Sequence, residues 1–583
     1  MTLIEMNVGQ NKDVPSLADG STVADFIEFV CKAHSLTGSH VPTWPPDVFG
    51  IVAMVMRRNG AYVRSVASGF SGSQHARSLL DDDWPQEAKR VGEEWRAAIV
   101  RALKANLGPG RSSVSGALKL VAVPDEVKGA WDLLTQLAPT VRIERGREHD
   151  DLARALIQLS GYTDEACIGI GLSPNAEFRN EFDKVTTFLL EQNKQLSVCS
   201  AVDPQRARVL PKKHTPQSGL TLRSLSHHLS LCMPWEVEAQ WFEFGANYFD
   251  VLNLLLLPWP LDVDAKHFRC LEDETSGNDP REHRTFEYSR PSADALAFKA
   301  DLEGAIDRAK KCVSKLHAIV LPELALTRAE WDIAQGIAIK RGVLLISGIL
   351  DDTMAGSDLP VNCCRIELTP LSQLRTGSDS LEPDPDAPMP PSYRQEKHHR
   401  WCLDRSQVLQ YDLGGQLPST KRCWENSHVG QRGIFFATLG GWLTFSVLIC
   451  EDLARQDPIA EVMRSVGPNL VVALLMDGPQ LAARWPARYA SVLADDPGSS
   501  VLTLTSLGMC LRSRPTPAPA APASRVVALW KDKLYGSREI SLEKDKVGCV
   551  LSLSCEAREE FTADGRSDSG WTQVPVFSGV FQV

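Results

Sequence analysis

In 444-TFSVLIC-450 an apolar run ends at a cysteine, and in 318-AIVLPE-323 another ends at a glutamate. A third stretch, 393-YRQEKHHRW-401, is polar and presents Lys397. Strand ends are where an α/β sheet exposes side chains to a cleft, and a carboxylate, an ammonium and a thiol gathered there form an acyl-transfer set. The thiol attacks as thiolate and needs a base. A carboxylate in an apolar pocket has a raised pKa, so it can take and return that proton near neutrality. Attack leaves negative charge on the former carbonyl oxygen, which a fixed ammonium and a backbone N–H stabilise; losing one such donor costs on the order of 100-fold in rate. Taken singly, each residue has a plainer reading: Glu323 as a capping carboxylate, Lys397 as a surface lysine, and Cys450 as one small buried hydrophobe among fourteen cysteines.

The elements that must position these side chains begin near Tyr248. Short β-rich runs (249-FDVLNLLLL-257, 317-HAIVLPE-323, 342-GVLLISGIL-350, 433-GIFFATLGGWLTFSVLIC-450, 469-NLVVALLM-476, 500-SVLTLTSLG-508, 525-RVVALW-530, 547-VGCVLSLSC-555) alternate with helical candidates such as 294–316 and 327–342. That alternation predicts a layered α/β domain over 247–583. Two proline-rich segments, 383-PDPDAPMPPS-392 and 514-RPTPAPAAPAS-524, interrupt it as exposed loops, and the second could lie over the site as a lid. Up to residue 200 the apolar spacing is helical, at 22–36, 46–67, 85–108 and 179–196, with Asp81 to Asp83 and Pro85 as start signals and Gly108 as a stop. This predicts a mostly helical domain over 1–200. The proline-spaced, locally basic 202-VDPQRARVLPKKHTPQSG-219 suits a connecting segment over 201–246.

Composition excludes several classes. A net charge of -11 gives no global basic field for a phosphate backbone. No apolar run reaches the roughly 18 to 20 residues of a spanning helix, and MTLIEMNVGQNKDVPS has no basic segment followed by an apolar core, so a cytoplasmic, reduced-thiol protein without a membrane partner is expected. No C-x-x-C pair or Cys/His block has zinc spacing, and His398 and His399, adjacent in an extended stretch, point to opposite faces; no metal is expected. The turn-like 168-GIGLSP-173 lacks the lysine and hydroxyl of a phosphate loop. Trp401 and Tyr411 read as core aromatics or as a pocket wall.

The elements PELAL, QEKHHRW and LICEDLARQDP, in the order Glu, Lys, Cys and with Pro322, Asp452 and Pro458 in place, resemble the nitrilase, or carbon-nitrogen hydrolase, superfamily. The resemblance covers about 247–583 and implies an α-β-β-α sandwich. It implies Cys450 as nucleophile, Glu323 as general base, Lys397 as oxyanion stabiliser aided by the backbone N–H of Glu451, and, from 421-KRCWENSHVG-430, Glu425 as a second glutamate. It further implies a small-molecule amide or nitrile substrate, turnover without a cofactor, and a homo-oligomer; the amide is favoured because amides are the commoner class of substrate. Cys-Glu-Asp is similar to the glutaminase part of glutamine-dependent NAD synthetases, but no SGG-x-DS-like loop accompanies it. The segments 406-SQVLQYDLGG-415 and 474-LLMDGPQL-481 look like nitrilase domains fused to bacterial defence reverse transcriptases, although no polymerase motif is present. They motivate an alternative: a defence or signalling protein whose helical region binds a protein or nucleic acid and whose nitrilase-like domain is the effector or an inactive scaffold.

Overall fold

The computed structural model describes residues 20–32, 40–66, 79–106, 113–171, 176–212, 215, 219–234, 237–243, 249–271, 283–353, 359–368, 392–430, 432–514 and 522–583. The N-terminal sixteen residues, Gly108, most of the 383–392 segment and most of the proposed lid lie outside them. The chain forms two compact units. One comprises 1–166, 199–207 and 220–225, the other 167–198, 208–219 and 226–583.

The first unit is helical, as its spacing predicts. Thr22 and Asp25 form a capping box that opens Val23–Val30, Pro45 starts Pro45–Asn59 and Gly60 ends it in a left-handed conformation. Trp84–Asn106, Asp125–Leu137 and Asp150–Ala166 complete the main helices. Buried Asp47 accepts the N–H groups of Ser200 and Ala201 at 2.8 and 2.7 Å; burial pushes its pKa up to about 6 against those bonds.

The second unit contains two seven-stranded sheets. The first runs, in spatial order, Tyr393–Glu396, Val361–Glu367, Leu344–Asp352, Ala318–Val320, Val251–Leu256, Cys549–Arg558, Thr572–Gln582. The second runs Gly536–Ser541, Val526–Asp532, Ser500–Thr505, Leu470–Leu475, Leu443–Ile449, Gly433–Leu439, Glu238–Glu243. Three neighbouring strands in each are parallel, and those of the second sheet are buried along their length, which is why they read as unbroken apolar runs. Bonds cross between the sheets: Gln395 Nε2 donates to Val447 O at 2.7 Å, and Ser500 Oγ to Pro575 O at 2.6 Å.

Helices Ala295–Cys312 and Arg328–Arg341 cover the first sheet, burying Leu302, Ile306 and Trp331 against Leu255, Ile319 and Leu345; each such side chain contributes about 1.5–3 kcal/mol. Trp485–Asp495 and Leu507–Arg512 cover the second. The architecture is the expected α-β-β-α sandwich.

Three local outcomes differ from expectation. Within 201–246, Arg208–Pro211 pairs with Leu229–Cys232, and Glu238–Glu243 pairs in parallel with Gly433–Leu439, because the apolar residues between the prolines and basic residues are buried. Helix Ala176–Gln192, placed by its spacing with the helical domain, belongs to the second unit. A four-stranded sheet of Cys402–Leu403, Cys423–Glu425, Arg284–Tyr288 and Phe268–Leu271 has no counterpart in the sequence reading. Among the described residues no helix is long and apolar enough to cross a membrane, and no group of three or more His, Cys, Asp or Glu could hold a metal ion.

Candidate active site

Glu323, Cys450 and Met476 follow the carboxyl ends of three parallel strands, Ala318–Val320, Leu443–Ile449 and Leu470–Leu475, where α/β sheets bind ligands. Lys397 follows Tyr393–Glu396, and Glu425 ends Cys423–Glu425. The fold brings the ionisable groups into one buried cluster. Lys397 Nζ donates to Glu323 Oε1 at 2.8 Å and to Glu425 Oε2 at 2.7 Å. Asn362 bridges the same two carboxylates, its Nδ2 donating to Glu323 Oε1 at 2.8 Å and to Glu425 Oε1 at 2.6 Å. The Met476 N–H donates to the remaining oxygen of Glu323 at 2.7 Å, and the Trp401 N–H to Glu425 Oε2 at 2.9 Å.

Backbone geometry holds this cluster tightly. A Cβ on Gly348 would stand 2.5 Å from both Glu323 Cα and Leu324 N, so only glycine lets the strand Leu344–Asp352 pass behind the glutamate. Leu324 turns away at a φ of 53°. The peptide after Met476 is anchored through Asp477, which accepts from Tyr411 Oη and, at 2.7 Å, from Arg484 Nη2. Tyr411 is therefore a core residue with a positioning bond, while Trp401 packs at 6.1 Å from it and also lines a cavity.

Cys450 is buried, 3% exposed, at a φ of 46°. A non-glycine residue in that region is strained by on the order of 1–3 kcal/mol and persists only where its surroundings over-determine it. Here the two carboxylates after the cysteine divide the work. Asp452 is buried and accepts the His398 N–H at 3.1 Å and His399 Nδ1 at 2.9 Å, tying the cysteine turn to the lysine segment. The Glu451 side chain turns to Arg455 at 3.1 Å. His398 Nε2 donates to Gly433 O at 3.0 Å, so both histidines have bonds within the protein.

The two glutamates are driven apart electrostatically. Burial raises the pKa of Glu323, and the Lys397 ammonium and the Asn362 bond only partly oppose it. Glu425 meets the same burial, but Lys397, the Trp401 N–H and Asn362 overcome it and hold its pKa low. Burial works against the Lys397 ammonium, yet Glu323 and Glu425 hold its pKa well up. The Cys450 thiol is pushed up by burial and then by Glu323, while Lys397 and the Met476 N–H favour its thiolate. The resting arrangement is thus a protonated thiol beside a carboxylate of raised basicity, an ammonium, and a second carboxylate kept ionised. Of the two carboxyl groups, Glu323 is therefore the one whose surroundings favour taking up a proton.

Sequence reasoning missed Asn362, the Met476 N–H and Gly348. The first had a signal: an asparagine inside the apolar run of 359-LPVNCC-364 must find buried partners.

No family model and no curated protein matches the chain. Among solved structures, an amidase from Nesterenkonia sp. is 12% identical with a TM-score of 0.31, over 52% of this chain and 89% of that one. Saccharomyces cerevisiae Nit3, a member of branch 10 of the nitrilase superfamily, is 12% identical with a TM-score of 0.32, over 53% and 92%.

Proposed function

We propose that the second unit is a cysteine-dependent hydrolase of non-peptide carbon-nitrogen bonds, acting on an amide through a thioester. The observation that carries this reading is Lys397 held between Glu323 and Glu425 beside the strained turn of Cys450. Glu323 takes the thiol proton as Cys450 Sγ bonds to the amide carbon. The oxyanion so formed is held by Lys397 and the Glu451 N–H. When the carbonyl re-forms, the carbon-nitrogen bond breaks and the amine leaves with the proton from Glu323, giving the thioester. Glu323 then deprotonates a water that adds to the thioester carbon. Collapse releases the carboxylic acid, and the proton returns to Cys450. Glu425 stays ionised throughout, supporting the Lys397 charge. A nitrile would meet the same thiol and give a thioimidate.

The test is ammonia release by the purified chain from paired amides and nitriles of equal carbon skeleton. Loss of release in Cys450→Ala, with amides turned over faster than nitriles, is the expected result. Undiminished release in Cys450→Ala would overturn the mechanism.

A further inference from the structure

A cavity of about 370 Å³, within the size range of small-molecule sites, meets the cluster at Asn362, Glu425 and Met476. Its far wall comes from the four-stranded sheet and the segment beside it. Phe286 packs edge-on to Trp401 at 5.8 Å, Tyr288 stands on Phe268 at 5.0 Å, and Leu324, Leu350 and Leu359 add aliphatic surface.

Among the described residues, four formally charged side chains line the cavity, and each is matched within the protein. Glu287 accepts from Arg269 and Asn426, both at 2.7 Å. Arg290 makes a two-bond pair with Glu330 at 2.9 and 2.7 Å. Asp352 receives both Nε and Nη2 of Arg365 at 3.0 Å; Arg328 and Arg394, farther from it at 3.7 and 3.8 Å, have Asp332 and Glu396 as nearer partners. Glu425 has Lys397. Among the described residues the walls therefore offer aromatic and aliphatic surface and the neutral polar groups of Ser289, Thr353, Asn426 and Ser427, but no counter-ion outside these pairs. An ammonium or carboxylate entering would exchange its hydration for neutral groups alone, with no opposite charge to compensate it.

We infer that this cavity is the acyl pocket and selects small uncharged carboxamides with an aromatic or aliphatic acyl chain, discriminating against charged amides such as glutamine. The inference rests on the hydrolase reading for its placement of the amide group at the Asn362–Met476 end. The acyl chain then lies against Phe286 and Trp401.

The test uses phenylacetamide, butyramide and L-glutamine in two measurements on the full chain. In turnover, kcat/KM for phenylacetamide is expected to exceed that for glutamine by on the order of 100-fold, and Phe286→Ala is expected to lower the phenylacetamide value by about 10-fold more than the butyramide value. In binding, titration calorimetry on Cys450→Ala is expected to register phenylacetamide and not glutamine. Glutamine turned over as well as phenylacetamide would overturn the selectivity while leaving the hydrolase reading intact. No turnover of any amide, with phenylacetamide still bound and glutamine not, would overturn the hydrolase reading and leave the pocket as a neutral-ligand site. Binding of neither, or tighter binding of glutamine, would overturn the inference.

Discussion

Replacing Asn362 by leucine tests the cluster most directly, because one side-chain nitrogen holds both glutamates, at 2.8 and 2.6 Å. Leucine fills similar space and donates nothing. A hydrogen bond to a charged group contributes about 1.5–3 kcal/mol, so two set an upper range of about 3–6 kcal/mol. Lys397 still bridges the pair, which places the expected loss near the lower end, about 3 kcal/mol in denaturant unfolding of the second unit. The rate effect is separable. The Asn362 bond favours the ionised form of both glutamates, so its loss raises both pKa values. In the proposed mechanism Glu323 must be ionised to accept the thiol proton, so the acid limb of kcat/KM against pH moves to higher pH. Misplacing the base by about 1 Å would add a loss on the order of 100-fold at the optimum. Asn362→Asp keeps the shape but sets a third carboxylate against the other two, and should move the limb further in the same direction. The assay is ammonia release from pH 5 to pH 10 with the three proteins. An unmoved acid limb in Asn362→Leu, whatever the fall in rate, would refute the electrostatic role; a wild-type rate and profile would refute any role.

Gly348→Ala forces backbone apart where a Cβ would sit 2.5 Å from Glu323 Cα, and should cost about 1–3 kcal/mol with most of the activity; wild-type melting behaviour would contradict it. Because Cys450 sits at a φ of 46°, Cys450→Gly should be more stable than Cys450→Ala by about 1–2 kcal/mol in urea unfolding, and the reverse order would remove the strain argument. Lys397→Met leaves two buried carboxylates without their cation and should cost about 3–5 kcal/mol near neutral pH. With the ammonium gone, burial raises both glutamate pKa values above their unfolded ones, so this variant should gain stability as pH falls from 8 to 5. In the wild type the depressed Glu425 contributes stability that is lost as pH falls, so a variant that weakened further at pH 5 would refute the assignment.

Much of the site is legible in the chain itself. Glu323, Lys397 and Cys450 each follow a stretch whose burial or polarity marks a strand end, and covering the outer face of the first sheet requires the helical spacing of 294–316 and 327–342. The helices of the first unit announce themselves through local start signals, as where Asp81 to Asp83 and Pro85 open Trp84–Asn106, because such signals are local chemistry. What only the tertiary structure decided is which strand ends meet. The bonds that define the cluster join residues 24, 28, 39, 63, 74 and 153 positions apart, and a hydrogen bond between distant segments leaves no periodic trace in either. The same reason hid the strand at Glu238–Glu243, whose partner lies near residue 433, and the small sheet that walls the cavity. The split between the two glutamates belongs to the same class: they have identical side chains, and their opposite pKa shifts come from the backbone and side-chain donors that folding places around each.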